Sequence, residues 1–385
     1  MEYKKQASSG ITPRIIIHGG AGNILPSNLP PKKYKQYHDS LLKILASTHY
    51  FMTSPSSFPL ATASSTSALD TRGVGLMGLQ HVKNPIKLAR EMLLHGEKDL
   101  EGGNGEHRGP MAEDLSRSSG AQGHCQLYKH SAENLAKQWG MEMVDPSYYF
   151  VQARWDEHIK GIEKDREGGV ATWDAEDFFP QGTCGAVALD SEGSTTAVVL
   201  SEALKGLMAD CLPNPMAYSP LPKADIDPAF LAKGDKVFRA AAMSGTGNGD
   251  SFLRINAVRT ASAIARYRGS KSNEKTSLQD AVTEVTGPGG ELVKSAGDRW
   301  GKSGEGEGGI IGVELTVHVD AHANKKSVIS HIVDDFNCGG MFRAAVDKNG
   351  KAVMRVWKPK QHEGLEAYEG EGREYDLRDW LEEKM

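Results

Sequence analysis

The chain has 385 residues, of which 39% are hydrophobic and 25% charged, the balance of a water-soluble globular protein rather than a disordered or fibrous one. A formal net charge of −5 gives no basic field for nucleic acid or an anionic membrane surface. The four cysteines, Cys125, Cys184, Cys211 and Cys338, are scattered without a CxxC pair. That fits neither a zinc site nor a secreted disulfide framework, and a reducing, cytoplasmic setting is expected.

Met1 to Pro13 lacks the apolar core of a signal peptide, and no apolar run approaches a membrane span. Arg14-Ile15-Ile16-Ile17 predicts a short buried strand. It leads into His18-Gly19-Gly20-Ala21-Gly22, which reads as a loop whose glycines admit a close neighbour. The loop has neither GxGxxG nor Walker spacing, so phosphate binding is weakly signalled. His18 reads as a strand-end histidine hydrogen-bonded to that loop. From Pro30 to Tyr50, Tyr34, Tyr37, Leu41, Leu42 and Leu45 recur at helical spacing. Ser54 to Ser67 has the composition of a loop. Asn84 and Pro85 are a good cap and first position for a helix reaching Leu94. Glu97 to Gly123 is charged, glycine-rich and aperiodic, the pattern of a mobile surface insertion. Ser131 to Gly140 predicts a helix capped by Ser131 and stopped by Gly140, and Trp155 to Lys164 another, before a polar stretch from Glu163 to Asp177.

Gln181 to Asp190 puts a Gly-Thr step directly ahead of an apolar run, Val187-Ala188-Leu189, which suits a strand covered on both faces. Read blandly, Gly182 turns the chain and Thr183 caps a strand. Were the chain cut between Gly182 and Thr183, however, Thr183 would carry a hydroxyl nucleophile and its own base. A free α-amino group has a pKa of about 7.7–8.0, near enough to neutrality to take the hydroxyl proton. Thr195 to Leu200 predicts a strand paired with this one, and Val237 to Met243 another. Ser244-Gly245-Thr246-Gly247-Asn248-Gly249-Asp250 alternates glycines with small polar residues, the composition of a loop that aims backbone N–H groups and the Thr246 hydroxyl at one point. Asn248 or Asp250 would also cap a helix from Ser251 to Tyr267, with Phe252, Ile255, Val258, Ala261 and Ala265 as its buried stripe. Leu278 to Val293 reads as a helix broken by Gly287-Pro288-Gly289-Gly290; Gly308 to Val319, Ser327 to Val333 and Ala352 to Trp357 read as strands. His318, His322 and His331 lack metal-ligand spacing and read as solvated groups.

In five motifs, taken in order, the chain resembles the N-terminal-nucleophile hydrolases of the plant-type asparaginase and isoaspartyl peptidase family. They are His18 to Gly22, Gln181 to Asp190, Ser244 to Asp250, Gly308-Gly309-Ile310-Ile311 and Asn337-Cys338-Gly339-Gly340-Met341. The resemblance implies an α+β fold, a four-layer αββα sandwich. It implies autocleavage at Gly182–Thr183 into residues 1–182, carrying the polar insertion of about 97–123, and residues 183–385. The implied reaction is hydrolysis of the asparagine side-chain amide or of an isoaspartyl peptide bond. Thr183 would be the nucleophile, Thr246 and Gly247 the oxyanion donors, and Gly247, Asn248 and Gly249 the substrate loop. Ser201, by a gap-free count from Thr183, would supply a supporting hydroxyl. No metal or organic cofactor is implied, and the assembly would be a homodimer of cleaved protomers acting on a small molecule or peptide. The chain departs from the family in two places. Ser54 to Ser67 stands where the family has a helix and two strands. Cys211 and Asn214 fall at the family's substrate-binding arginine and aspartate, and Cys211 cannot make a forked, charged contact to a carboxylate. Two other readings share the motifs: a threonine endopeptidase of the taspase kind, and a non-catalytic relative or truncated gene model.

Overall fold

β1, Arg14–Gly22, is the strand around which the larger sheet is assembled. In the computed structural model, the described residues are 11–53, 74–101, 126–166, 183–191, 195–200, 236–268, 277–319, 326–359 and 364–384. They are mixed helix and sheet, and fall into two compact units, one containing residues 74–166 and the other the rest.

β1 pairs antiparallel with β4, Cys184–Leu189, on one edge and with β9, Gly340–Val346, on the other. With β5, Thr195–Leu200, β10, Lys351–Arg355, and β11, Glu374–Asp376, the sheet order is β11-β10-β9-β1-β4-β5. The glycines expected to form a loop after Ile17 belong to the strand. His18 still pairs with Gly185 and Arg343, and the register against β9 slips between His18 and Ala21, a bulge that the small residues accommodate. A second, antiparallel sheet holds β6, Lys236–Gly247, β7, Gly308–Val319, and β8, Lys326–Phe336. Here too the strand outruns its predicted end: Ser244-Gly245-Thr246-Gly247 completes β6, paired with Gly308 to Ile311.

Period-two alternation divides the apolar residues of these two sheets among three clusters. Ile16, Val187 and Leu189 of the larger sheet meet Ala242, Ile311, Val313 and Phe336 of the smaller one. Ile15 and Ile17 point the other way. They join Tyr34, Leu41, Leu42 and Leu45 of α1, Pro31–Thr53, and Trp380 of the C-terminal helix Leu377–Lys384. Ala241, Met243 and Ile310 likewise turn from the facing sheet to Val258, Ala261, Val282, Val285 and Leu292 on three helices. β4 does alternate: Val187 and Leu189 are fully buried between the sheets, whereas Ala186 and Ala188, facing away, are half-buried. Burying each large side chain contributes about 1.5–3 kcal/mol, so these stripes fix which face each strand presents.

Several helix limits differ from the sequence reading. α1 runs on to Thr53, and its Tyr37 is exposed, packed edge-on against Phe342. The single helix expected from Ser251 is two, Gly249–Arg254 and Ala257–Tyr267, because Asn256 adopts a left-handed conformation between them. Leu278–Thr286 and Glu291–Ala296 are separated at the predicted glycine-proline break. In the other unit, short parallel strands β2, Gly75–Met77, and β3, Gln126–Tyr128, accompany helices Pro85–Glu101, Lys129–Gln138 and Gln152–Arg166. The helix at Lys129 begins before Ser131, which is not its cap; Tyr128 occupies that position without a side-chain bond. The Pro85 helix extends into the expected insertion as far as Glu101, and residues 102–125 lie outside the described ones. So do Ser54 to Ser67, and most of the Glu163 to Asp177 stretch. Among the described residues no helix is long and apolar enough to cross a membrane.

Candidate active site

The finish of β1, the start of β4, the finish of β6, the start of β7, the finish of β8 and the start of β9 lie at the same end of the two sheets. The described residues of all five sequence motifs reach these ends. The antiparallel register brings them together, since Thr183 immediately precedes β4, His18 pairs with Gly185, and Thr246 pairs with Gly309.

Thr183 is buried. Beneath it His18 Nε2 meets Ser244 Oγ at 3.0 Å, a bond between the two sheets and not, as the sequence reading had it, to the histidine's own loop. The correction has a steric cause. Because the glycines are strand, the ring is carried across to β6, and Gly185 leaves room for it. A Cβ at Gly185 would overlap both His18 Nε2 and Ser244 Oγ. Burial pulls the His18 pKa down to about 3, although the nearby Thr183 backbone favours the charged form. The ring is therefore neutral at physiological pH and holds structure without contributing charge. Among the described residues its Nδ1 has no hydrogen-bond partner of good geometry.

At the end of β6, Thr246 is buried and Gly247 has φ +145°, a left-handed conformation suited to glycine. A side chain there would overlap the carbonyl oxygen of Glu307. That carbonyl accepts the Asn248 N–H at 2.8 Å, so this amide, one of those expected to face a ligand, is already engaged. Asn248 Oδ1 caps the short helix Gly249–Arg254, accepting from Ser251 N at 3.0 Å and Ser251 Oγ at 2.7 Å. The alternative capping assignment to Asp250 falls; Asp250 lies in the helix's first turn. Asn337 braces the facing strand, with Oδ1 accepting from Gly308 N at 2.9 Å and Nδ2 donating to Gly306 O at 2.8 Å. Burial pushes the Glu307 carboxyl up to about 7 and, together with that carboxyl, the Cys338 thiol up to about 12. Cys338 is thus an inert buried thiol.

Sequence reasoning gave no role to Ser244, Glu307 or Asn337. Ser244 and Asn337 lay inside quoted motifs, but only the register shows what they hold. Glu307, set in the run Gly306-Glu307-Gly308-Gly309, was the visible clue: a charge between glycines at the start of a buried strand. Gly182, Ser201, Cys211 and Asn214 lie outside the described residues. His331 is exposed on β8, and no cluster of three metal-ligating side chains occurs among the described residues.

No protein-family model matches the chain. Three curated proteins are similar to it over most of their length. One from Dictyostelium discoideum, provisionally named isoaspartyl peptidase/L-asparaginase, is 22% identical over 84% of this chain and 94% of its own. One from Arabidopsis thaliana, provisionally named isoaspartyl peptidase/L-asparaginase 2, is 23% identical over 89% of this chain and 98% of its own. The isoaspartyl peptidase of Salmonella typhimurium is 24% identical over 86% and 94%.

Proposed function

We propose that this chain is a threonine-nucleophile amidohydrolase that cleaves itself between Gly182 and Thr183 and then hydrolyses L-asparagine or isoaspartyl peptides. The observation that carries the reading is the convergence of buried Thr183 with Thr246 and Gly247 at one end of two facing sheets. The names of the three relatives support the substrate class. The three apolar clusters support a four-layer αββα arrangement of the N-terminal-nucleophile type.

In self-cleavage Thr183 Oγ1 attacks the Gly182 carbonyl carbon, the C–N bond breaks, and an ester forms as the acyl group shifts from nitrogen to oxygen. Water hydrolyses that ester and leaves Thr183 with a free α-amine. In turnover this amine takes the hydroxyl proton as Oγ1 attacks the substrate amide, then delivers it to the departing ammonia or amine. The Thr246 hydroxyl and the Gly247 N–H stabilise the tetrahedral oxyanion, worth about 3–4 kcal/mol per well-placed donor. Water then releases aspartate from the acyl-enzyme. Asn248 and Gly249 shape the substrate side of the site, and Ser201 supplies the supporting hydroxyl. The reaction uses no metal or organic cofactor, and the buried, unbridged Cys338 thiol accords with a reducing cytoplasm. The resemblance supports a homodimer of cleaved protomers.

Intact-mass analysis of the purified chain tests the proposal. Two fragments meeting at Gly182/Thr183, and a single inactive chain for Thr183→Ala, are the expected results. An uncut wild-type chain without amidase activity would overturn it and favour the non-catalytic alternative.

A further inference from the structure

Among the described residues, the carboxylates Asp334, Asp335 and Glu305 near the converging strand ends are ion-paired, whereas Glu307 is not. Asp334 holds Arg343 Nε at 2.6 Å, Asp335 holds Lys358, and Glu305 holds Arg254 Nη2 at 3.2 Å and Arg299 Nε at 2.5 Å. Glu307 has no cation and no side-chain hydrogen bond among the described residues, and burial raises its carboxyl.

Its direction follows from its neighbours. A Cβ on Gly308 would run into Phe252 on the helix side, whereas one on Gly309 would meet Met341 Sδ at 2.6 Å and Phe336 Cβ at 2.7 Å between the sheets. Alternation therefore sends Glu307 to the Gly309 side. Its electrostatic influence on the Cys338 thiol, a member of the cluster between the sheets, agrees. Thr246 is the register partner of Gly309 and, by the same alternation from Ser244, faces the same side. The Glu307 main chain is already part of this corner, through its carbonyl against Gly247 and its bond from Asn248 N–H.

Among the described residues nothing offsets the desolvation of this partly buried carboxylate, and a compact cationic donor arriving with the ligand would do so. We infer that Glu307 is a specificity-determining residue that recognises an ammonium group on the substrate, next to the amide that is cleaved. The inference rests on the proposed amidohydrolase reading for the identity of that substrate. Asparagine, and an isoaspartyl unit at a peptide's N-terminus, both carry a free α-ammonium. Succinamate carries the same amide without it.

The test separates recognition from catalysis by measuring binding. The full-length chain is titrated calorimetrically at pH 8 with L-aspartate and with succinate, which differ by the ammonium alone. The wild type should bind aspartate about tenfold or more tightly than succinate, the scale of one charge-assisted hydrogen bond in a desolvated site. Glu307→Gln should abolish that preference and leave succinate affinity within about twofold, while Glu307→Asp, which keeps the charge, should retain part of it. Equal affinities in the wild type, a preference that survives Glu307→Gln, or binding of neither ligand would each overturn the inference. A chain that prefers aspartate yet hydrolyses nothing would uphold this inference and remove the hydrolytic reading, so the two fail separately.

Discussion

Glu307→Gln should also change how stability depends on pH, whether or not the protein turns over substrate. Burial raises the Glu307 carboxyl from the ordinary 4.5 to about 7. Between these values the folded state binds a proton that the unfolded state has released, so stability falls as pH rises. The loss is absent below pH 4.5 and complete above pH 7. With roughly 1.36 kcal/mol for each pKa unit, the full loss is about 3 kcal/mol, an upper value for a side chain that water partly reaches. Glutamine is close in shape and cannot ionise, so the variant lacks this dependence. Urea denaturation from pH 4.5 to 8.5 should show variant and wild type differing by a constant at the acid end, with the variant gaining up to about 3 kcal/mol towards the alkaline end. A difference of the same size at every pH would refute the reasoning, because it would mean that Glu307 is ionised in the fold without penalty.

Two further substitutions probe the floor beneath Thr183. Gly185→Ala would drive a methyl group into His18 and Ser244, and should cost about 1–3 kcal/mol in thermal denaturation and slow the appearance of the two fragments. His18 has the opposite pH signature to Glu307, since its pKa falls from 6.5 to about 3 and the unfolded state gains the proton first as pH drops. The wild type should therefore lose about 3 kcal/mol between pH 6.5 and 4 that His18→Gln does not lose, as read by the same denaturation series; parallel curves would contradict a buried neutral ring.

Much of the framework was legible in the sequence because apolar period and helix punctuation are local signals. The isoleucine run, the α1 stripe and the Gly-Pro break before Glu291 each declare themselves within a few residues. The strand ends were not legible. Glycine-rich runs such as His18 to Gly22 and Ser244 to Gly247 look like loops by composition, yet they are strands here because partners from distant segments hydrogen-bond along them. Alanines at β4 disguised its alternation, since a small side chain on the helix-facing side reads as apolar as a large one in the core. In the site, the motifs marked Thr183 and Thr246. The His18–Ser244 bond spans 226 residues and so leaves no spacing to find. Asn256, whose left-handed turn divides a helix, carried a weak signal as a residue type that tolerates that conformation.

The central position of β1 bears on what happens when the backbone is severed. The strands clasping its two edges, β4 and β9, both come from beyond residue 183, and its outer face is covered by α1 from its own segment. A nick between Thr53 and Thr183 leaves the first segment threaded through the middle of the larger sheet, held like a tongue between two grooves. Withdrawing it would split that sheet in half and uncover Ile15, Ile16 and Ile17 together. The two pieces are thus interleaved in one sheet, and cutting the covalent link leaves its hydrogen bonds and apolar contacts in place.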